Sequence, residues 1–291
     1  MVISGIQARA SVSATHLIWL LALASLLGAC GSDEPKPKPD LCQGELAGKF
    51  AKLLGGKADD VAFSVAPAPD GGFVLAGRSD SLPAGNNRGW TARVDKYGRF
   101  LWGTDLGETA GYGAADVTVA PKGGYFVAHG AMTVMKLNED GTVAWQKSHA
   151  KGSALPKVAY GIDTAATGGG VMAGVAYTAS GGSTASRDSM LIRFNDKGEK
   201  VWEQFYTKEA LTHTEDVITA AEGYLLVGWT EGKIGETGRD FWAVRTNSSG
   251  TAVWNERWGG NFDDEAKGVA LTNDGGFVMA GFTQSVGAGN A

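Results

Sequence analysis

Cysteine is nearly absent. Two residues among 291 cannot build a disulfide framework. Histidine is scarce too: His129, His149 and His213 stand at no metal-ligating spacing, and no cysteine pair is present to bind zinc. A basic surplus is missing, with 26 Lys and Arg against 31 acids and a formal net charge of −5. That balance argues against a nucleic-acid partner, whose binders carry a basic patch or stripe. No Gly-x-Ser-x-Gly or His-Glu-x-x-His phrase occurs. Gly168-Gly-Gly170-Val-Met-Ala173 meets the loose dinucleotide fingerprint, but it lies in a repeated hairpin with no helix to face a pyrophosphate. No cofactor, metal or catalytic residue is assigned on these grounds. Glycine is what abounds, at 44 residues without a G-X-Y period, which excludes collagen. A hydrophobic share of 43% excludes wholesale disorder.

A membrane-length apolar run is also lacking. Leu17 to Leu27 makes about 17 Å of helix at ~1.5 Å per residue, short of a ~30 Å hydrocarbon core. Arg9 and His16 precede it without an acid, and small residues follow, so it reads as a secretory signal. Leu27-Gly28-Ala29-Cys30 resembles the lipobox of bacterial lipoproteins, where the Cys is diacylated and becomes the first mature residue. The resemblance implies a lipoprotein signal peptide over 1–29, lipidation at Cys30 and membrane attachment through that lipid. Gly31 rather than Asp follows Cys30, which implies the outer membrane of a Gram-negative envelope more than the inner one. Residues 30–48 form a Pro- and Lys-rich linker, extended and solvated, that would hold a domain off a bilayer. Cys42 reads either as an incidental thiol or as a covalent link to another chain.

Residues 49–291 repeat. Asp95-Lys-Tyr-Gly98, Asn138-Glu-Asp-Gly141, Asn195-Asp-Lys-Gly198 and Asn247-Ser-Ser-Gly250 each lead to a tryptophan, at Trp102, Trp145, Trp202 and Trp254. Asp or Asn followed three residues later by Gly is a tight-turn signature. A second phrase keeps step: Asp70-Gly-Gly-Phe-Val-Leu-Ala-Gly77, Lys122-Gly-Gly-Tyr-Phe-Val-Ala128, Gly168-Gly-Gly-Val-Met-Ala-Gly174, Glu222-Gly-Tyr-Leu-Leu-Val-Gly228 and Asp274-Gly-Gly-Phe-Val-Met-Ala-Gly281. Each unit therefore predicts four strands. The second is apolar on both faces, so both must be dry, as in a blade stacked between neighbours. Ala62, Ala114, Ala159 and Ala266 suit a blade tapering toward a crowded axis. The expected fold is all-β, a β-propeller of four-stranded blades with about five repeats, the last incomplete. Other repeated-sheet arrangements stay open.

These phrases at this spacing resemble the bacterial β-propeller repeats of the SBBP and delta-60 type, common in secreted proteins and lipoproteins. The resemblance covers residues 50–291 and implies fold rather than function. The fifth unit lacks its third strand and its Trp strand. Phe50 to Gly56 matches Trp254 to Gly260, as if the N-terminal end completed the last blade. A C-terminally truncated reading frame is the expectation.

Acids gather near the starts of first strands, at Asp59-Asp60, Glu215-Asp216 and Asp263-Asp264-Glu265. They read as solvated turn residues or as channel-mouth ligands, with Asp60, Asp264, Glu215 and Asp216 as the candidates. Arg93, Lys136, Arg193 and Arg245 recur on the third strand, reading as structural cations or as a surface for an anion. The leading functional reading is a lipid-anchored envelope module that binds or scaffolds a protein or glycan through the loops 79–89, 177–188 and 230–239. The alternatives are a carbohydrate-active or quinoprotein-like enzyme with acids at the channel mouth, and a surface-coat element.

Overall fold

In the computed structural model the described residues are 2–4 and 51–285, save 86, 109–112, 152–155, 179–185, 208–210 and 232–237. Cys30, Cys42, Phe50, the linker, most of the signal segment and residues 287–291 lie outside them. The described residues form strands and turns without a helix. A short pair comes first: β1 (Val2–Ser4) runs antiparallel to β2 (Ala51–Leu53). Cleavage before Cys30 would remove β1 and leave β2 without that neighbour.

Four antiparallel meanders of four strands follow. The first sheet is β3 (Asp60–Pro67), β4 (Phe73–Ser79), β5 (Arg88–Val94) and β6 (Phe100–Glu108). The second is β7 (Ala114–Val119), β8 (Tyr125–His129), β9 (Thr133–Leu137) and β10 (Val143–Ser148). The third is β11 (Lys157–Thr164), β12 (Gly170–Thr178), β13 (Ser186–Phe194) and β14 (Lys200–Tyr206). The fourth is β15 (Thr212–Ala220), β16 (Gly223–Glu231), β17 (Arg239–Asn247) and β18 (Ala252–Trp258). A fifth sheet pairs β19 (Asp264–Leu271) with β20 (Phe277–Thr283). Each four-strand unit read from the repeats is thus one sheet.

The turns form for the reason their residues suggest. Asn247 Oδ1 accepts the N–H groups of Ser249 at 3.0 Å and Thr251 at 2.9 Å, while Gly250 takes φ +82°. Asp95 does the same for Tyr97 at 2.8 Å and Arg99 at 2.9 Å.

Sheets stack face to face, and first strands lie side by side: β3 with β7, β7 with β11, β11 with β15, β15 with β19. One apolar layer fills each gap. Val74 and Ala76 meet Val127 and Leu137 between the first and second sheets. Phe126 and Met132 meet Met172 and Ile192 next, then Val171 and Leu191 meet Leu226 and Trp242, and finally Leu225 and Val227 meet Ala266 and Val269. The two-sided burial of the second strands follows. β8 is buried throughout and β16 nearly so. On β20, by contrast, Phe277, Val278 and Phe282 are exposed.

Every first strand carries a β-bulge at one place: after Ala62, Ala114, Ala159, Thr214 and Ala266. The bulged residues are Phe63, Ala115, Tyr160, Glu215 and Lys267. Opposite the residue before the bulge stands Gly77, Gly174, Gly228 or Gly281. A Cβ on any of these would strike a main-chain carbonyl of the first strand, so close approach requires the closing glycine in these four sheets; in the second, His129 stands opposite Ala114 instead.

Candidate functional site

The bulge register decides where the acids go. Asp60 and Asp264 share one position, three residues before the bulge. Glu215 and Asp216 are the bulged residue and the one after it, so they are out of phase with the other pair. These acids therefore occupy two different registers of the first strands.

Asp60 and Asp264 hold turns. Asp60 accepts the Gly56 N–H at 2.6 Å and the Ser81 hydroxyl at 2.8 Å, and also the Ser79 hydroxyl. Asp264 accepts the Gly260 N–H at 2.9 Å and the Ser285 hydroxyl at 2.7 Å. Burial works to raise both carboxyls, but these donors, with the Thr283 side chain foremost at Asp264, leave them below the usual range.

Asp216 pins two sheets together. It is 1% exposed and accepts the N–H of Val217 at 2.7 Å and that of Val269 in the fifth sheet at 2.9 Å. Asp116 stands at the same register. It accepts the Ser64 hydroxyl of the first sheet at 2.5 Å and the Ile162 N–H of the third at 2.8 Å. In the third sheet that register holds Gly161, and Asp163 takes over, accepting the Thr219 N–H at 2.7 Å. Asp116 and Asp163 escaped sequence reasoning. Their signal was a lone carboxylate inside an otherwise apolar strand.

The recurring cations hold turns as well. Arg93 donates to the Phe73 and Val94 carbonyls, to Asp70 and to the Tyr125 hydroxyl at 2.9 Å. Arg193 binds Gly168 and Gly170 carbonyls, Arg245 those of Tyr224 and Thr246, and Lys136 those of Gly123 and Leu137.

Of the sequence candidates, Glu215 alone enters a cluster drawn from three sheets. At the corner between β11, β15 and β19, His213 stacks on Trp229 with ring centroids 5.0 Å apart, and Tyr160 meets His213 edge-on at 4.5 Å. The guanidinium of Arg187 lies 4.4 Å from the Trp229 ring centre and that of Arg239 lies 4.2 Å from it. Lys267 Nζ sits 2.6 Å from Glu215 and 2.7 Å from Glu265, and Arg239 takes the other oxygen of Glu265. His213 Nε2 is 3.6 Å from Glu215. Burial holds His213 far below its ordinary pKa, at about 3, reinforced by Arg187, Lys267 and Arg239. Burial likewise raises Glu215 above the usual carboxylate range against the pull of Lys267. Glu265 is lowered: burial opposes, but Lys267 and Arg239 prevail.

These residues stand at a pair of positions that varies between repeats. His213 stands where Val61, Val158 and Glu265 stand, and Trp229 where Arg78, Val175 and Phe282 stand. That variation was the readable signal. Arg187 and Arg239 border the predicted contact loops, whose segments 179–185 and 232–237 lie outside the described residues. The third loop, 79–89, packs its start against Asp60 instead. Among the described residues no group of three or more His, Cys, Asp and Glu could hold a metal ion.

No protein-family profile matches the chain, and no curated protein matches it in sequence. Solved structures similar in shape include the following two. One is a protein of unknown function from Bacteroides caccae, at 14% identity and TM-score 0.47, covering 72% of this chain and 70% of that one. The other is a candidate exo-beta-1,3-galactanase from Bifidobacterium bifidum s17, at 11% identity and TM-score 0.39, covering 77% and 71%. At such scores neither bears on the chemistry of the corner.

Proposed function

We propose that this chain is a lipid-anchored cell-envelope module of propeller repeats that binds a protein or glycan partner at the corner between β11, β15 and β19. The observation that carries the reading is the gathering of Tyr160, Arg187, His213, Glu215, Trp229, Arg239, Glu265 and Lys267 at one end of the first strands, beside two loops. Side-by-side first strands support blades set around an axis. The SBBP-like and delta-60-like phrases support the same arrangement, and the lipobox supports anchorage through Cys30 at the outer membrane.

Hydrolysis is the second reading, favoured by the burial that pushes the Glu215 carboxyl up. Against it, Glu215 is already engaged by Lys267 and by a hydrogen bond from the Trp229 side chain, and Glu265 by Lys267 and Arg239.

The test is titration of the full chain with purified envelope polysaccharides and outer-membrane proteins by biolayer interferometry. Saturable binding that Arg239→Gln weakens by about tenfold supports the proposal. Binding indifferent to Arg239→Gln moves the site elsewhere. Release of reducing ends that Glu215→Gln abolishes makes the protein an enzyme.

A further inference from the structure

We infer that Arg187 anchors a subsite for a carboxylate-bearing ligand at this corner, with His213 beside it as the second polar contact. The inference rests on the reading of the corner as a binding site. Its argument is the repeat itself. Arg187 and Arg239 occupy the same position in the third and fourth sheets, six residues before Arg193 and Arg245. Arg239 crosses to the next sheet and finds Glu265, the residue just before the pre-bulge position of β19. The equivalent residue facing Arg187 across the next gap is His213 on β15. Where one gap supplies its own carboxylate, the other presents a neutral imidazole.

The charges of the corner agree. Lys267 and Arg239 are matched by Glu215 and Glu265, whereas Arg187 has no carboxylate partner among the described residues. Its Nε is withdrawn from water with no hydrogen-bond acceptor among those residues, and so is Nδ1 of His213, a side chain 8% exposed. Both lie against the same indole. Buried polar groups are nearly always satisfied, and two unsatisfied ones against one indole point to a group supplied from outside. A guanidinium fork fits a carboxylate with two parallel bonds.

The experiment is isothermal titration of the full chain with acetate, glucuronate and glucose. Acetate and glucuronate should bind and glucose should not, and Arg187→Gln should weaken the acids by about tenfold or more. Glucuronate binding more tightly than acetate assigns the subsite to sugar acids; equal binding assigns it to the bare carboxylate. His213→Glu places in this gap the carboxylate that Glu265 supplies in the next, so it should abolish acid binding and raise the melting temperature. Acid binding unchanged in Arg187→Gln or in His213→Glu overturns the inference, as does the lack of any acid binding up to about 10 mM. Polysaccharide binding lost in Arg239→Gln but intact in Arg187→Gln would sink the subsite and leave the binding module standing.

Discussion

Asp216 accepts two main-chain N–H groups in two different sheets, and water does not reach it. Removing its carboxylate strands the Val269 N–H in a dry gap, at a cost of about 1–3 kcal/mol. Asp216→Ala should therefore lower the unfolding free energy measured in urea by that amount, and Asp116→Ala by more, because Asp116 serves the first and third sheets at once. Two buried groups pull in opposite directions with pH. Burial raises Asp163 to about 6. The folded state then keeps a proton that the unfolded chain releases near pH ~4, so this group adds stability as pH falls from about 6 to 4, at most about 3 kcal/mol. His213, held at about 3, refuses a proton that the unfolded chain takes near pH ~6.5, so it withdraws stability as pH falls below that point. Urea midpoints at pH 7 and 4.5 separate them. Relative to wild type, Asp163→Asn should lose more stability on acidification and His213→Gln should lose less. The reverse order would show that neither group is buried as described.

At the scale of the strand, the tryptophans bind sheets together through the neighbouring turn. The Trp102 ring lies where a Cβ on Gly141 would sit, 2.5 Å away, and Trp202 stands in the same relation to Gly250 at 2.8 Å. Trp102 also donates to the Glu139 carbonyl at 2.9 Å and packs on Tyr125. The turn glycine thus has two duties, a positive φ and room for the indole of the preceding sheet. Gly250→Ala should cost about 2 kcal/mol or more, from left-handed strain of ~1–2 kcal/mol plus overpacking of ~1–3 kcal/mol. A loss below about 0.5 kcal/mol in denaturant titration would show that the ring simply moves aside. The bulges add a second tie. Glu215 and Lys267 are both bulged residues, and the bond between them joins β15 to β19. Lys267→Met leaves two carboxylates sharing one cation, so it should destabilise by about 1–2 kcal/mol, with Glu215→Gln in the same chain restoring part of the loss.

For the whole molecule, five sheets share four apolar gaps, and each gap also has a carboxylate tie from Asp116, Asp163 or Asp216, while Trp102, Trp145 and Trp202 pack on the turn glycine of the next sheet in the first three gaps. Sheets tied in this way should unfold together rather than one by one, and a single cooperative transition seen by both tryptophan fluorescence and far-ultraviolet dichroism checks this. Anchorage is a separate matter from stability. Cys30→Ser should abolish labelling by radioactive palmitate and move the chain from the membrane to the soluble fraction. Labelling that persists in that variant would refute the lipobox.

Turn chemistry is local, and for that reason the sequence by itself determined the four-strand units. An Asx oxygen reaches its own backbone within four residues, and glycine alone takes the left-handed position without strain. Burial on both faces also showed in one strand, because an apolar run without alternation has no wet side. The Trp and Gly of each phrase were visible, but not that Trp102, Trp145 and Trp202 each meet the glycine of the next unit, since contacts between sheets join residues about 40 to 50 positions apart. Only the tertiary structure decided the roles of the acids. A bulge shifts register by one residue, which turned Asp216 into a pin, Glu215 into a member of the corner, and Asp60 and Asp264 into holders of turns. His213, paired with Trp229, shares that indole with Arg187 where a neighbouring gap has a carboxylate, and no reading of one strand at a time could place those two side chains on the same ring.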